Sequence, residues 1–225
     1  MIGLIGQKLG MTQIFNADGT VVPVTVIGVQ GNRVVGLRTR EKNNYDAVQV
    51  GWGENSKEKR KTLLNNFPGQ KRPRLVREFR LDRTKGEELA KYKVGQELSL
   101  AEVKVGAFLD VTGHSIGKGF QGVVRRYGMH GGPATHGSNF HRHPGSIGHC
   151  TAPARVFKGK KLPGRMGGVR VTVQNLAVVS IDTEKGLLLI SGAVPGKRNA
   201  MLLIRPSVKK PNVPQQVSEP VKKSA

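Results

Sequence analysis

Phe15-Asn16-Ala17-Asp18-Gly19-Thr20 leads into the β-branched run at residues 21–29, and this stretch decides the fold class. The Asp-Gly pair supplies a tight hairpin turn, and the Val, Thr and Ile after it favour an extended, half-buried chain. Working outward, residues 34–37 and 47–52 have the same texture, and the runs stop at turn chemistry in Gly31-Asn32, Asn43-Asn44 and Gly53. The N-terminal third therefore reads as strands. Strand texture returns at residues 103–112, 169–181, 187–191 and 201–204. Many short strands with Gly-rich turns predict a mainly β protein, a barrel or a sandwich.

Residues 54–93 are charge-rich and weakly helical; their best short helix is 84–92, opened by Thr84 with Glu87 three residues on. The chain then divides into N-terminal strands of a globular domain (1–53), a small α+β insertion (54–95), the remaining strands of that barrel or sandwich (96–125 and 169–207), an extended basic loop (126–168) and a flexible basic tail (208–225). No repeat of fixed period interrupts this order.

Charge points to the partner. Lys and Arg number 37 against 15 Asp and Glu, a net +22 in 225 residues, and a compact chain so charged repels itself unless an anion screens it. Nucleic acid fits. A membrane surface would call for a basic amphipathic helix or a lipidation signal, and the sequence contains neither. Met1-Ile2-Gly3-Leu4-Ile5-Gly6 has no basic segment before an apolar stretch, and no apolar run approaches the roughly 20 residues that span a bilayer. A soluble, cytosolic protein is expected. The single cysteine, Cys150, excludes an internal disulfide framework and a Cys-based zinc site.

The sharpest signal lies between residues 111 and 181, which hold no acid but ten Lys or Arg and all six histidines. Inside it, residues 126–168 include ten Gly and four Pro, a composition low in regular structure. Ordering such a segment costs on the order of 40 to 90 kcal/mol, at about 1 to 2 per residue, and the scattered Phe140, Ile147, Phe157 and Leu162 cannot bury enough area to offset that. A partner must order the loop and neutralise it. The cations assigned to nucleic-acid contact are Lys118, Arg125, Arg126, Arg142, Arg155, Lys158, Lys160, Lys161, Arg165 and Arg170. Mixed-sign charges at Lys57, Glu58, Lys59, Arg60 and Lys61 read instead as solvated surface.

Gly117-Lys118-Gly119-Phe120-Gln121-Gly122 matches G-x-G-x-x-G, yet residues 123–126 look like strand and the next acid is Asp182, so the dinucleotide reading lacks both its helix and its ribose-binding carboxylate. Gly117, Gly119 and Gly122 are assigned instead to close backbone approach to phosphate or sugar. His136, His141, His143 and His149 beside Cys150 have metal-ligand chemistry, but no carboxylate stands near to orient them, and stacking on or hydrogen bonding to RNA accounts for them better. A Cys150 nucleophile would lack an orienting acid. An oligonucleotide-binding barrel would call for clustered aromatic platforms, against an aromatic content of 5%. No cofactor, metal or small-molecule substrate is expected, and no catalysis.

Several blocks in order carry a resemblance: Gly6-Gln7-Lys8-Leu9-Gly10-Met11-Thr12-Gln13-Ile14-Phe15, then Thr135-His136-Gly137, Pro144-Gly145-Ser146-Ile147-Gly148, Val156-Phe157-Lys158-Gly159-Lys160-Lys161 and Arg170-Val171-Thr172-Val173-Gln174-Asn175-Leu176. The chain resembles, almost to residue 206, the family of bacterial large-subunit ribosomal protein number three (uL3). The resemblance implies a translation-factor-like β-barrel with a long irregular loop that penetrates large-subunit (23S) ribosomal RNA toward the peptidyl transferase centre. It also implies direct RNA binding, support of early subunit assembly, and neighbouring large-subunit ribosomal proteins as partners. The implied loop tip is Ile147, Gly148, His149, Cys150, Thr151, Ala152 and Pro153. Some members carry a methylated glutamine three residues after the Gly-Ser-Ile-Gly block; here that residue is Thr151, and no glutamine lies between Gln121 and Gln174.

Overall fold

Strand β1 (Leu4–Phe15) shows how the sequence builds two cores with one element. Successive residues of a strand face opposite ways. Leu4 enters a cluster with Ile27, Leu109, Val111, Leu188, Ile190, Leu202 and Ile204, while Ile5 enters another with Ile2, Val34, Val48, Val50 and Phe79. The computed structural model describes residues 2–54, 72–81 and 89–210. These fall into two units, residues 115–169 and the remainder, taken here one at a time.

In the larger unit β1 forms a hairpin with β2 (Val21–Gly28). The turn is closed by backbone bonds from Asn16 N to Thr20 O and from Gly19 N to Asn16 O, both at 3.0 Å, and by the Asn16 side-chain amide, which donates to Thr20 Oγ1 at 3.1 Å. Next come β3 (Asn32–Arg38), a one-turn helix α1 (Arg40–Asn43), β4 (Ala47–Glu54), β5 (Pro73–Arg80) and the two-residue β6 (Glu97–Leu98). They make a four-stranded sheet in the order β5-β4-β3-β6. After β7 (Phe108–His114), the smaller unit contributes β8 (Phe120–Gln121), helix α2 (Val123–Tyr127) and β9 (Gly164–Arg165). The chain returns through β10 (Arg170–Asp182), β11 (Leu187–Ser191) and β12 (Met201–Pro206). Six strands close on themselves in the order β1-β12-β7-β10-β11-β2, every neighbouring pair antiparallel. The protein is mainly β, with few helical residues.

Each large aliphatic side chain in these clusters contributes about 1.5–3 kcal/mol relative to exposure. Two polar groups are buried because they satisfy backbone. The Asn32 amide donates to the carbonyls of Ile5 (2.8 Å) and Val29 (2.6 Å), while its Oδ1 accepts from the Ile5 amide (3.0 Å). Asp110 accepts from the amides of Asn175 (2.9 Å) and Val208 (3.3 Å), and Ser207 Oγ donates to Asn175 Oδ1 (2.6 Å). Asn175 sits at φ 59° where the β7–β10 register shifts, so this network fixes a bulge.

The structure corrects three local expectations. Residues 123–126 form helix rather than strand: Gly128, at φ 71° in the left-handed region, returns its amide to the Val124 carbonyl and closes α2, while Val123 is buried. Glycines on both sides outweigh the strand preference of two valines. The stretch at 103–112 becomes strand only from Phe108; before it, Leu100–Glu102 is a 3-10 turn with Ser99 accepting from the Ala101 amide, followed by a turn at Gly106. Residues 73–80, read as a weakly helical part of the insertion, form strand β5, with Pro73 at the first position where a missing N–H is tolerated. Pro206 ends β12 and Ser207 is buried. The helix expected from Thr84 begins outside the described residues; Leu89–Lys91 form a 3-10 turn. The tail from residue 211 also lies outside them.

Candidate nucleic-acid interface

Residues 115–169 start and end as one antiparallel stem. Ser115 donates its amide to the Val169 carbonyl (2.9 Å) and accepts from the Gly168 amide (3.1 Å); Lys118 N donates to Met166 O and Met166 N to Gly119 O, both at 2.9 Å. Phe120 pairs with Arg165 and Gln121 with Gly164. The would-be Cβ positions of Gly117, Gly119 and Gly122 meet nothing within 4 Å, and Gly119 has φ +70°. A helix does follow the G-x-G-x-x-G motif, against the sequence expectation, but it is a single five-residue α2, and no acid follows before Asp182.

Within the unit some cations serve the fold. Arg126 Nη1 donates to the Leu162 carbonyl at 2.7 Å, and its guanidinium lies 5.0 Å from the Tyr127 ring centre. The Lys161 ammonium lies 5.7 Å from the same ring. Arg125 donates to Gln121 Oε1 at 3.2 Å while remaining exposed. By contrast, Lys118, Arg142, Arg155, Lys158, Lys160 and Arg165 are exposed, with no side-chain hydrogen bond or ion pair among the described residues.

Between α2 and β9 the backbone has no regular structure and is held by short local contacts. Gly132 donates to the His141 carbonyl (3.1 Å), and His141 Nδ1 lies 3.1 Å from the Pro133 carbonyl, a geometry that calls for the proton on Nδ1. Phe140 and His143 meet edge to face at 5.8 Å, as do His149 and Phe157 at 6.2 Å. His136 stands exposed at φ 59°. Toward the tip, Ser146 to Cys150 and Ala154 to Val156 line an open concavity of about 520 Å³. Ile147, Gly148, His149, Cys150, Thr151, Ala152 and Pro153 are all exposed. The Thr151 hydroxyl, 3.6 Å from Cys150 Sγ, holds that thiol below its ordinary pKa.

Only Val123 is buried in this unit, and Phe120, Phe140 and Phe157 stand 75%, 55% and 52% exposed. Nothing inside the unit can compensate its cations, because it has no Asp or Glu. Among the described residues no three His, Cys, Asp or Glu side chains gather as a metal site.

Arg170 belongs to the other unit, as the first residue of β10 opposite His114. There it lines a cleft of about 330 Å³ with Arg77, His114, Arg205 and Glu78. Sequence reasoning missed Arg77 and Arg205, because only the pairing of strands far apart in sequence brings them beside Arg170.

The family described as Ribosomal protein L3 matches residues 87–187. Large ribosomal subunit protein uL3 of Alkaliphilus metalliredigens is 51% identical over 212 residues, covering 93% of this chain and 99% of that protein. The protein of the same name from Treponema denticola is 49% identical over 212 residues, with the same coverage, and that from an Exiguobacterium species 48% over 211, covering 92% and 98%. The chain belongs to the ribosomal protein L3 family. Ribosomal protein L3 is a structural, non-enzymatic component of the large ribosomal subunit, which works in translation on the cytoplasmic ribosome in association with rRNA and other ribosomal proteins. Among the described residues of this L3 chain, no helix is long and apolar enough to cross a membrane.

Proposed function

We propose that this L3 chain binds 23S rRNA directly, with the closed sheet serving as a translation-factor-like barrel outside and residues 126–168 penetrating the RNA toward the peptidyl transferase centre. Binding at this depth supports early subunit assembly, because a loop that must be surrounded by RNA enters more easily before the RNA has closed. The observation that carries the reading is a unit with one buried side chain, nine Lys or Arg and no carboxylate, which leaves both its neutralisation and its ordering to an anionic partner. Lys118, Arg142, Arg155, Lys158, Lys160 and Arg165 take phosphates; Arg125 joins them from the exposed side of α2. Arg126 and Lys161 bind in part through the fold they brace, and Arg170 acts from the barrel. His136, His141, His143, His149, Phe140 and Phe157 offer rings for unstacked bases. Gly117, Gly119 and Gly122, with open space where a side chain would stand, let the stem's backbone approach sugar or phosphate.

Cys150 gives a direct test, being the sole cysteine, exposed at the tip and with a lowered thiol pKa. An iron chelate tethered to it, in reconstituted large subunits, should cleave rRNA at nucleotides of the peptidyl transferase region. Cleavage confined to RNA on the particle surface would overturn the inward placement of the tip.

A further inference from the structure

Where β5 stands beside the outer face of the closed sheet, one cleft joins cations to an apolar floor. Along β12, Leu202 and Ile204 point into the core, so alternation turns Met201, Leu203 and Arg205 outward. Strand β5, the outermost of its sheet, adds Leu75 and Arg77 from the other side. Leu75, Met201 and Leu203 are only partly buried and form the floor. Arg77, His114, Arg170 and Arg205 stand exposed around it. The only acid in the lining is Glu78, and alternation along β5 sends its carboxylate away from Arg77, to the Gln49 amide (2.7 Å), the Tyr45 hydroxyl (2.9 Å) and Arg38 Nε (3.4 Å). Its charge serves the opposite face of that sheet.

Arg205 is braced, with its guanidinium 5.0 Å from the Phe79 ring centre and its Nη2 donating to the Glu78 carbonyl at 3.5 Å. Arg170 makes no side-chain hydrogen bond or ion pair among the described residues, and Arg77 donates Nη1 to the adjoining Val76 carbonyl at 2.9 Å, which leaves most of its donors for a ligand. The rim asks for an anion and the floor for a flat apolar body. Inorganic phosphate would leave the floor in water, and a duplex keeps its base faces inside the stack. A single unstacked nucleotide satisfies both, and a cleft of about 330 Å³, at the lower end of small-ligand sites, holds little more. We infer that this cleft binds one unstacked nucleotide, with its base against Leu75, Met201 and Leu203 and its phosphate between Arg77 and Arg170. A free mononucleotide and an extruded residue of bound RNA present the same chemistry; only the second source rests on the ribosomal reading above.

The test dialyses labelled adenosine and uridine 5′-monophosphates against the full chain, first as free protein and then within purified large subunits. The free protein should hold one equivalent of one or the other that a tenfold excess of inorganic phosphate does not displace. Arg77→Ala combined with Arg170→Ala should weaken that binding roughly tenfold or more, as loss of charge-assisted hydrogen bonds to phosphate does. Lys185→Ala, at the β10–β11 turn, should leave it within twofold. In subunits a site for free nucleotide still takes up the label, whereas a site filled by RNA excludes it, and one rRNA base then gains reactivity to chemical probing in the double variant. Displacement by equimolar phosphate, binding indifferent to the double variant, or subunits showing neither uptake nor a changed base would overturn the inference alone. Absence of the chain from large subunits would overturn the ribosomal reading and leave dialysis of the free protein to decide the site.

Discussion

The closed-sheet unit and residues 115–169 are parts of one chain that satisfy opposite physical requirements. In the first, strands bury Leu, Ile and Val on both faces of β1, and buried polar groups such as Asn32 and Asp110 have partners within the fold. In the second, one valine is buried, aromatic rings face outward, and nine cations have no carboxylate among them. The first can repay the entropy of its own ordering through burial; the second cannot, and under the proposed function it takes its charge balance from phosphate and its surface from RNA. Reading the two alike, as core and loop of an ordinary domain, would leave the loop's composition without a cause.

The largest effect expected from this contrast comes from deleting an aromatic ring in each region. Phe79, 1% exposed against Ile5, Val34, Val48 and Val50, should cost about 3–5 kcal/mol of unfolding free energy when replaced by Ala. Phe157→Ala should change stability by no more than about 0.5 kcal/mol, yet weaken RNA binding by about 1–3 kcal/mol if a base stacks on it. Denaturant melts and filter binding on the two variants check the pair. A stability loss at Phe157 equal to that at Phe79 would break the comparison.

Asn32→Ala removes three hydrogen bonds at the junction of the two cores and leaves buried backbone groups of Ile5 and Val29 unpaired. The expected loss is about 2–3 kcal/mol, read from the shift of the urea midpoint, with RNA affinity unchanged under folding conditions. Lost affinity at full folding would mean that Asn32 does more than brace the strands.

The smallest effect is a pH dependence at Glu78. Hydrogen bonds from the Gln49 amide (2.7 Å) and the Tyr45 hydroxyl (2.9 Å), with Arg38 nearby, hold the Glu78 carboxyl below its ordinary pKa. The folded value is the lower one, so this contribution is present above the unfolded carboxylate pKa and fades as pH falls through the folded value. Glu78 is partly exposed, and solvent screening keeps the contribution to roughly 0.5 kcal/mol or less. Stability of the wild type relative to Glu78→Gln should decline on acidification; a difference constant with pH would contradict the arrangement.

Part of the strand pattern was legible in the sequence, for local reasons. The strands at 187–191 and 201–204 announce themselves by β-branched and leucine content, the second running on to Pro206, and the acid-free stretch contains the whole of residues 115–169. What stayed hidden depends on distant residues. Gly6 weakens the strand texture of β1, yet a Cβ there would lie 2.5 Å from Ile27 Cγ2, so close packing across the closed sheet requires it. The charges of β5 disguise a strand that becomes evident only when it pairs with β4. The cleft of Arg77, Arg170 and Arg205 arises from strands far apart in sequence. Within the candidate interface, sequence identified cations but could not separate the exposed Lys158 and Lys160 from Arg126, which is bonded to Leu162.

The central claim, that residues 115–169 work by phosphate neutralisation, is tested most directly by the salt dependence of binding. Wild type and a Lys158→Ala, Lys160→Ala, Lys161→Ala variant, with identical circular dichroism, are titrated against a protein-free 23S rRNA fragment at a series of salt concentrations. Each lost phosphate contact removes roughly 0.7 to 0.9 from the magnitude of the slope of log affinity against log salt. Three contacts predict a drop of about two to three units, nearer two because Lys161 is partly engaged over Tyr127. A variant slope equal to that of the wild type would contradict the account.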